Sequence, residues 1–191
     1  CDFLMVIHGM EDSRVLVQER YEVLRAMFFH ETHDQDAYVT PVDPNTPVFK
    51  NIDLMLQTAT PLLSGNWQAT SEVYETGKLT YGNANPDAEE FNSLADFIFA
   101  GDYIEVKLPW QLLNFANPSE MKIHDDYYLH YGVEYITIDE MYVGIGSNEN
   151  KEYRIRMNAF PLEGWGKTVT YHERLKESYY ILQEYWARRD G

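Results

Sequence analysis

Cysteine is all but missing from this chain, whose 191 residues hold a single one, at position 1. One thiol excludes an intrachain disulfide and any cysteine-based zinc site. Basic charge is scarce too: 15 Lys and Arg stand against 31 Asp and Glu, a formal net charge of −16. The only basic cluster is Arg188-Arg189. Nucleic acid and anionic membrane surfaces need clustered Lys and Arg to neutralise phosphates, so no nucleic-acid partner is expected. Excess carboxylate favours divalent cations and neutral or cationic ligands. Long apolar runs are absent as well; none comes near the roughly 18 residues that span a bilayer, so direct membrane insertion is not expected. The opening Cys1-Asp2-Phe3-Leu4-Met5-Val6-Ile7 has no basic n-region and is too short for a signal peptide. It does not begin with Met, which fits a piece of a longer protein. No Gly-x-Ser-x-Gly elbow and no phosphate-binding glycine loop is found.

What the chain has is aromatic residues, with 15 Tyr, 9 Phe and 4 Trp, and 45% hydrophobic residues, enough to bury a core. Aromatic and β-branched side chains suit pleated sheets. Residues 2–7 read as a central strand with apolar residues on both faces, and Arg14 to Gln18 as a second strand pairing back across the turn-forming His8 to Asp12. A short helix is expected near 19–28. Residues 30–50, punctuated by Pro41, Pro44 and Pro47, read as a long loop, as does Thr80 to Asn92. Ile52, Leu54 and Leu56 alternate as in a strand. Tyr103 to Leu108 is the clearest strand, with Ile104, Val106 and Leu108 facing inward, Glu105 and Lys107 outward, and Pro109 ending the ladder. Two short strands, or one bulged strand, are expected over Val133 to Gly146. At the end, Thr170 and Glu173 form a capping box, and Tyr171, Leu175, Tyr179, Leu182 and Trp186 recur at helical spacing. Many short strands, long polar loops and one terminal helix predict a mainly β fold: an antiparallel, jelly-roll-like β-sandwich with a C-terminal α-helix, as one domain over 1–191.

The run Asp96-Phe97-Ile98-Phe99-Ala100-Gly101-Asp102-Tyr103-Ile104-Glu105-Val106-Lys107-Leu108-Pro109-Trp110-Gln111-Leu112-Leu113 carries a strand with Glu-Val-x-Leu-Pro-Trp followed by a Leu-Leu turn. It resembles the late-strand signature of carbohydrate-binding module family 9 and the related DOMON-like sandwiches. The longer stretch through Asn114-Phe115-Ala116-Asn117-Pro118-Ser119, His124-Asp125-Asp126-Tyr127-Tyr128 and Tyr135-Ile136-Thr137-Ile138-Asp139 is similar to C-terminal regions of large bacterial surface proteins with a family 2 glycosyltransferase-like or TIM-barrel hydrolase-like part upstream. The resemblance implies an extracellular or cell-surface location and contact with upstream domains of the same chain. It also implies opening strands before Asp2; these belong to a longer parent or to another chain.

Sugar binding needs exposed rings for the pyranose C–H face and amides or carboxylates for the hydroxyls. Trp110, after the proline of a buried strand, and Trp186, on the helical stripe, read as packing residues. Trp67, among Ser64, Gly65, Asn66 and Gln68, and Trp165, between Gly164 and Gly166, sit in loops and are the ring candidates, set against a loop-pinning role. His30-Glu31-Thr32-His33-Asp34 is one residue short of the zinc-protease spacing. Oxygen ligands for a structural calcium are offered by Asp34, Asp36, Asp43, Asp125 and Asp126, although acid-rich loops are usually just solvated. No catalytic carboxyl pair stands in a recognisable motif. The expectation is a non-catalytic carbohydrate-binding accessory domain without a cofactor beyond that calcium, its partner a polysaccharide or cell-wall glycan. The alternatives are a docking domain without a glycan site and a glycoside hydrolase.

Overall fold

A computed structural model describes residues 1–22, 42–57, 72–125, 134–146, 157–166 and 177–188. Strand β1 (Phe3–Val6) and β2 (Arg14–Gln18) form the expected antiparallel hairpin, with Phe3 opposite Val17 and Met5 opposite Val15. β3 (Phe49–Asn51) adds on the far side of β2, so β2 is the central strand and β1 lies at the edge of the sheet, not in the central place expected from its two apolar faces; one face of β1 is left exposed. Residues alternate in depth along β2, with Val15 and Val17 buried and Arg14 and Leu16 half-buried, as the period of two in a strand requires. The chain leaves β2 in a 3-10 turn, Glu19–Tyr21; the rest of the helix expected over 19–28 lies outside the described residues.

The hairpin loop is closed by one side chain. The fully buried Ser13 accepts a hydrogen bond from the His8 N–H at 2.9 Å and donates its own to the Gly9 carbonyl at 2.7 Å. Gly9 takes a φ of 70°, the left-handed conformation that glycine adopts without a steric cost. Ser13→Ala leaves both backbone groups without their partner. The expected loss is about 1–2 kcal/mol, read from urea unfolding, and an unchanged midpoint would mean that water replaces the hydroxyl.

β4 (Asp53–Gln57) pairs with β5 (Glu72–Glu75) through a register shift between Met55 and Gln57. β6 (Phe97–Ala100) and β7 (Tyr103–Val106) make a tight hairpin whose two-residue turn is Gly101-Asp102, with Gly101 at φ 62°. That is the turn chemistry of a II′ hairpin, and it accounts for β6, which the hydrophobic pattern alone does not single out. The inward face expected for 104–108 holds at the base of the hairpin only. Val106 and Leu108 pack on the core, Glu105 and Lys107 are exposed, but Ile104 is 46% exposed. Phe97 pairs with Val106 over the core, whereas Phe99 and Ile104 pair next to the turn, where the ribbon runs past the core.

The core is centred on Val15, Leu79 and Phe97, with Phe3, Ile7, Ile52, Tyr81, Val106, Leu108 and Leu112 packed around them. Leu79 arrives on an extended stretch tied to β2 by Val15 N–H to the Gly77 carbonyl at 2.7 Å and Leu79 N–H to the Ser13 carbonyl at 2.8 Å. Arg14 spans from Asp12 (2.6 Å) to Glu75 (3.3 Å), linking β2 to the end of β5. The loop over Thr80 to Asn92 is held at its start by Asp96, which accepts from the Thr80 N–H at 2.8 Å.

β8 (Phe115–Asn117), β9 (Lys122–His124) and β10 (Tyr135–Thr137) form a three-stranded sheet, and β11 (Glu140–Val143) pairs with β12 (Asn158–Pro161). β10 and β11 match the two short strands expected over Val133 to Gly146. The last described element is α1 (Glu177–Ala187); the Thr170 and Glu173 capping box lies outside the described residues. The protein is therefore mainly β, its ladders antiparallel, with a C-terminal helix. Among the described residues the strands group into five ladders of two or three strands. The helix departs from the expected packing: from Ser178 to Ala187 each residue is exposed, Trp186 to 61%. Tyr180, Ile181 and Tyr185 join the Tyr179, Leu182 and Trp186 stripe, so apolar side chains spread round more of the helix than one contact can cover.

Candidate functional site

Two tryptophans that are distant in sequence meet at one surface. β7 ends at Val106, short of the expected Leu108, and Pro109 caps the 3-10 turn Trp110–Leu113, which closes on Asn114 in the left-handed conformation at φ 65°, with its N–H on the Gln111 carbonyl at 3.2 Å. That turn redirects the chain into β8, where Phe115 is buried. The Trp110 ring stands edge-on to Phe115, centroids 4.7 Å apart, a favoured aromatic geometry. It is nonetheless 36% exposed, so the expectation that Trp110 is simply core is corrected: it sits on a short turn between β7 and β8 that leaves the indole partly exposed.

Trp165 comes from the loop after β12. The Leu162 N–H donates to the Asp139 carbonyl at 2.8 Å and the Gly166 N–H to the Ser119 carbonyl at 2.9 Å. Gly164 passes so close to the same Ser119 carbonyl that a Cβ there would lie 2.7 Å from the oxygen. Only glycine permits that approach. The loop is thus seated on the 3-10 turn Pro118–Glu120 between β8 and β9, and the Trp165 ring, 45% exposed, lies 6.4 Å from Trp110 at an interplanar angle of 45°. Beside it the 3-10 turn carries a polar network. Ser119 donates to Asn117 at 2.7 Å, Asn117 donates to Glu120 at 2.8 Å, and Lys122 reaches Glu120 at 2.9 Å.

Of the other ring and metal candidates, Trp67, Asp34, Asp36 and Asp126 lie outside the described residues, as do His30 and His33. Asp43 is at a turn: its Oδ1 accepts the Asn45 backbone N–H at 2.8 Å. Asp125 follows β9 and bonds through its N–H to the Glu134 carbonyl at 3.1 Å. Among the described residues no three His, Cys, Asp or Glu side chains converge as a metal site. Asp43 and Asp125 are thus not part of such a three-residue group among the described residues.

A cavity of about 130 Å³ opens between the first sheet and the turn after Pro109, walled by Phe3, Val17, Ile52 and Leu112 with Glu22 and Asp53 among its polar groups. It is well below the roughly 300–1,000 Å³ of ordinary ligand pockets.

On β11 the exposed Tyr142 hydroxyl donates a short hydrogen bond to Glu140. That bond, then the Glu140 charge, a small burial effect and the Asp139 charge raise the phenol above its usual value. The raised value favours the neutral ring, so its contribution to folding is present below the unfolded tyrosine value of about 10 and is lost as pH rises through the folded one. Glu140→Gln is expected to bring Tyr142 back toward ordinary tyrosine. The tyrosinate absorbance of each protein, less that of its Tyr142→Phe counterpart, isolates this group; coincident curves with and without Glu140 would refute the coupling.

Among the described residues no helix is long and apolar enough to cross a membrane. No family model, no curated protein and no solved structure matches this chain.

Proposed function

We propose that the chain is a non-catalytic carbohydrate-binding domain that holds a glycan on Trp165 and Trp110, as an accessory part of a bacterial surface or secreted protein. The observation that carries this reading is the pair of half-exposed indoles, each fixed by backbone geometry, beside the Asn117, Ser119 and Glu120 network. Aromatic faces take the C–H surface of a sugar, and the amide, hydroxyl and carboxylate take its hydroxyls. A structural calcium would draw its oxygen ligands from Asp34, Asp36, Asp43, Asp125 and Asp126. A second reading, a docking domain that contacts upstream parts of the same chain, is favoured by the exposed aromatic residues of α1.

A glycan array followed by calorimetry tests the proposal. The expected Kd is about 10 µM to 1 mM, or about 4–7 kcal/mol, because one or two stacked rings must also offset the entropy of association. Trp165→Ala should weaken binding by at least about tenfold, equivalent to about 1.4 kcal/mol, with the melting temperature nearly unchanged. No binding at millimolar glycan would shift the assignment to docking. Turnover that survives Trp165→Ala and disappears with one Asp or Glu replacement would shift it to a hydrolase.

A further inference from the structure

We propose that β1 is an interface strand: two copies of this chain pair along it, antiparallel about a two-fold axis at Met5, and join their three-stranded sheets into one. β1 is the edge of its sheet, bonded on one side to β2. The ladder fixes where its backbone groups point. The Gln18 N–H donates to the Asp2 carbonyl at 2.8 Å, whereas the Val15 N–H turns away from β1 to the Gly77 carbonyl at 2.7 Å. Val15 stands opposite Met5, and Val17 opposite Phe3. Bonded and non-bonded pairs alternate along an antiparallel ladder, so the N–H and C=O of Phe3 and Met5 point to the open side. No described strand lies there. The Phe3 carbonyl meets the exposed Cys1 thiol at 2.8 Å, a weak donor that a backbone N–H can replace.

Sheet edges that stay free in solution are blunted by charge, proline or a bulge. The opposite edge of this sheet carries Lys50 within β3. β1 consists of Phe, Leu, Met and Val in unbroken register, and Leu4, Met5 and Val6 are exposed. Charge stands at the two ends instead, with Asp2 before the strand and His8 after it.

That order is self-complementary. With Met5 opposite Met5 of the second copy, Phe3 falls opposite Ile7, Leu4 opposite Val6 and Asp2 opposite His8. Outward-pointing groups then meet outward-pointing groups, and Leu4 and Val6 of both copies form one apolar row across the axis. Sliding the copies to put Phe3 opposite Met5 keeps the backbone groups matched but sets Asp2 beside Val6. The other described charges of the hairpin are Glu11, Asp12 and Arg14. Asp12 holds Arg14 at 2.6 Å and lies 3.3 Å from His8, which is largely exposed and so open to a second carboxylate. One short strand per copy makes a small, transient interface.

Sedimentation equilibrium of the chain from about 10 µM to about 1 mM, a range that spans weak specific pairs, should show the mass rise from monomer toward dimer. Met5→Lys sets two ammonium groups across the axis and should weaken the pair at least about fivefold, with the melting midpoint of dilute protein nearly unchanged. On a Cys1→Ser background, Met5→Cys should form an intermolecular disulfide under mild oxidation, because bonded partners in such a ladder stand about 5.5 Å apart at Cα, within disulfide reach. Leu4→Cys, offset from its own counterpart by two residues, should not. If Met5→Lys fails to fold, the two cysteine variants decide the matter. A chain that stays monomeric at the top of the range, or a dimer that Met5→Lys leaves unchanged, overturns the proposal; loss of that dimer with Trp186→Ser would assign the contact to α1. Crosslinking of Leu4→Cys in place of Met5→Cys overturns the register.

Discussion

Phe97→Ala is expected to destabilise the protein by about 3–5 kcal/mol, the range for truncating a fully packed aromatic. The ring is 2% exposed and shares the centre of the core with Val15 and Leu79. It stands edge-on to both Tyr81 and Phe99, at 5.4 and 5.7 Å, so its loss removes two aromatic pairs along with the buried area. Collapse into the space is restricted by the backbone on either side. The Gly82 N–H is bonded to the Phe97 carbonyl at 3.0 Å, and β6 is paired along its length with β7. Chemical denaturation with equal slopes for the two proteins gives the difference directly. Phe97→Leu, which keeps most of the volume, should recover more than half of the loss. A cost below about 1 kcal/mol for the alanine variant would mean that Phe97 is not the centre of the core.

Gly77→Val should be comparably severe for a different reason. A Cβ at this position would fall directly on the Val15 carbonyl oxygen and lie 3.3 Å from the Ile52 Cβ. The obstacle is the backbone of the central strand β2, which cannot swing aside as a side-chain tip does. Relief requires moving the stretch 76–79 away from β2, and that breaks the Val15 to Gly77 hydrogen bond at 2.7 Å and loosens Leu79 in the core. Overpacking of this kind costs about 1–3 kcal/mol and sometimes more, and a lost buried hydrogen bond adds about 1 kcal/mol. Thermal unfolding should show a drop of many degrees for Gly77→Val and a smaller one for Gly77→Ala. Gly101→Ala makes a useful contrast: nothing lies within 4 Å of a Cβ there, and only the φ of 62° opposes it. If Gly77→Val melts no lower than Gly101→Ala, the close approach is not tight.

The strands were legible wherever alternation is strictly local. Phe3 to Val6 as an apolar run, and Arg14 to Gln18 and Asp53 to Gln57 by their alternation, each appear within a residue or two of the expected bounds, although β1 lies at the sheet edge and Leu54 and Leu56 face outward. β7 was legible in type but not in depth. Ile104 has the same neighbours in sequence as a core residue, and its exposure depends on how far the hairpin extends beyond Phe97 and Val106. The helical spacing of Tyr179, Leu182 and Trp186 identified α1 but implied a partner, because periodicity describes a face and not what covers it. Trp165 was recognisable as a ring candidate from its flanking glycines. Its neighbour Trp110 was not, since a tryptophan after a proline that follows an apolar strand reads as packing until the turn it starts is seen to leave the ring partly exposed.

By itself, then, the sequence determined the class of the fold, the lack of disulfides, the strong negative charge and the supply of aromatic rings, all properties of composition or of local period. Tertiary structure decided which rings stand together and which faces stay exposed. Trp110 and Trp165 meet because the Ser119 carbonyl receives the Gly166 N–H and Gly164 has no side chain to hold the loop away. Those contacts join segments with no shared periodicity, and their free energy depends on backbone geometry set elsewhere in the fold. Pattern along the chain cannot encode that proximity; the packing of the sheets does.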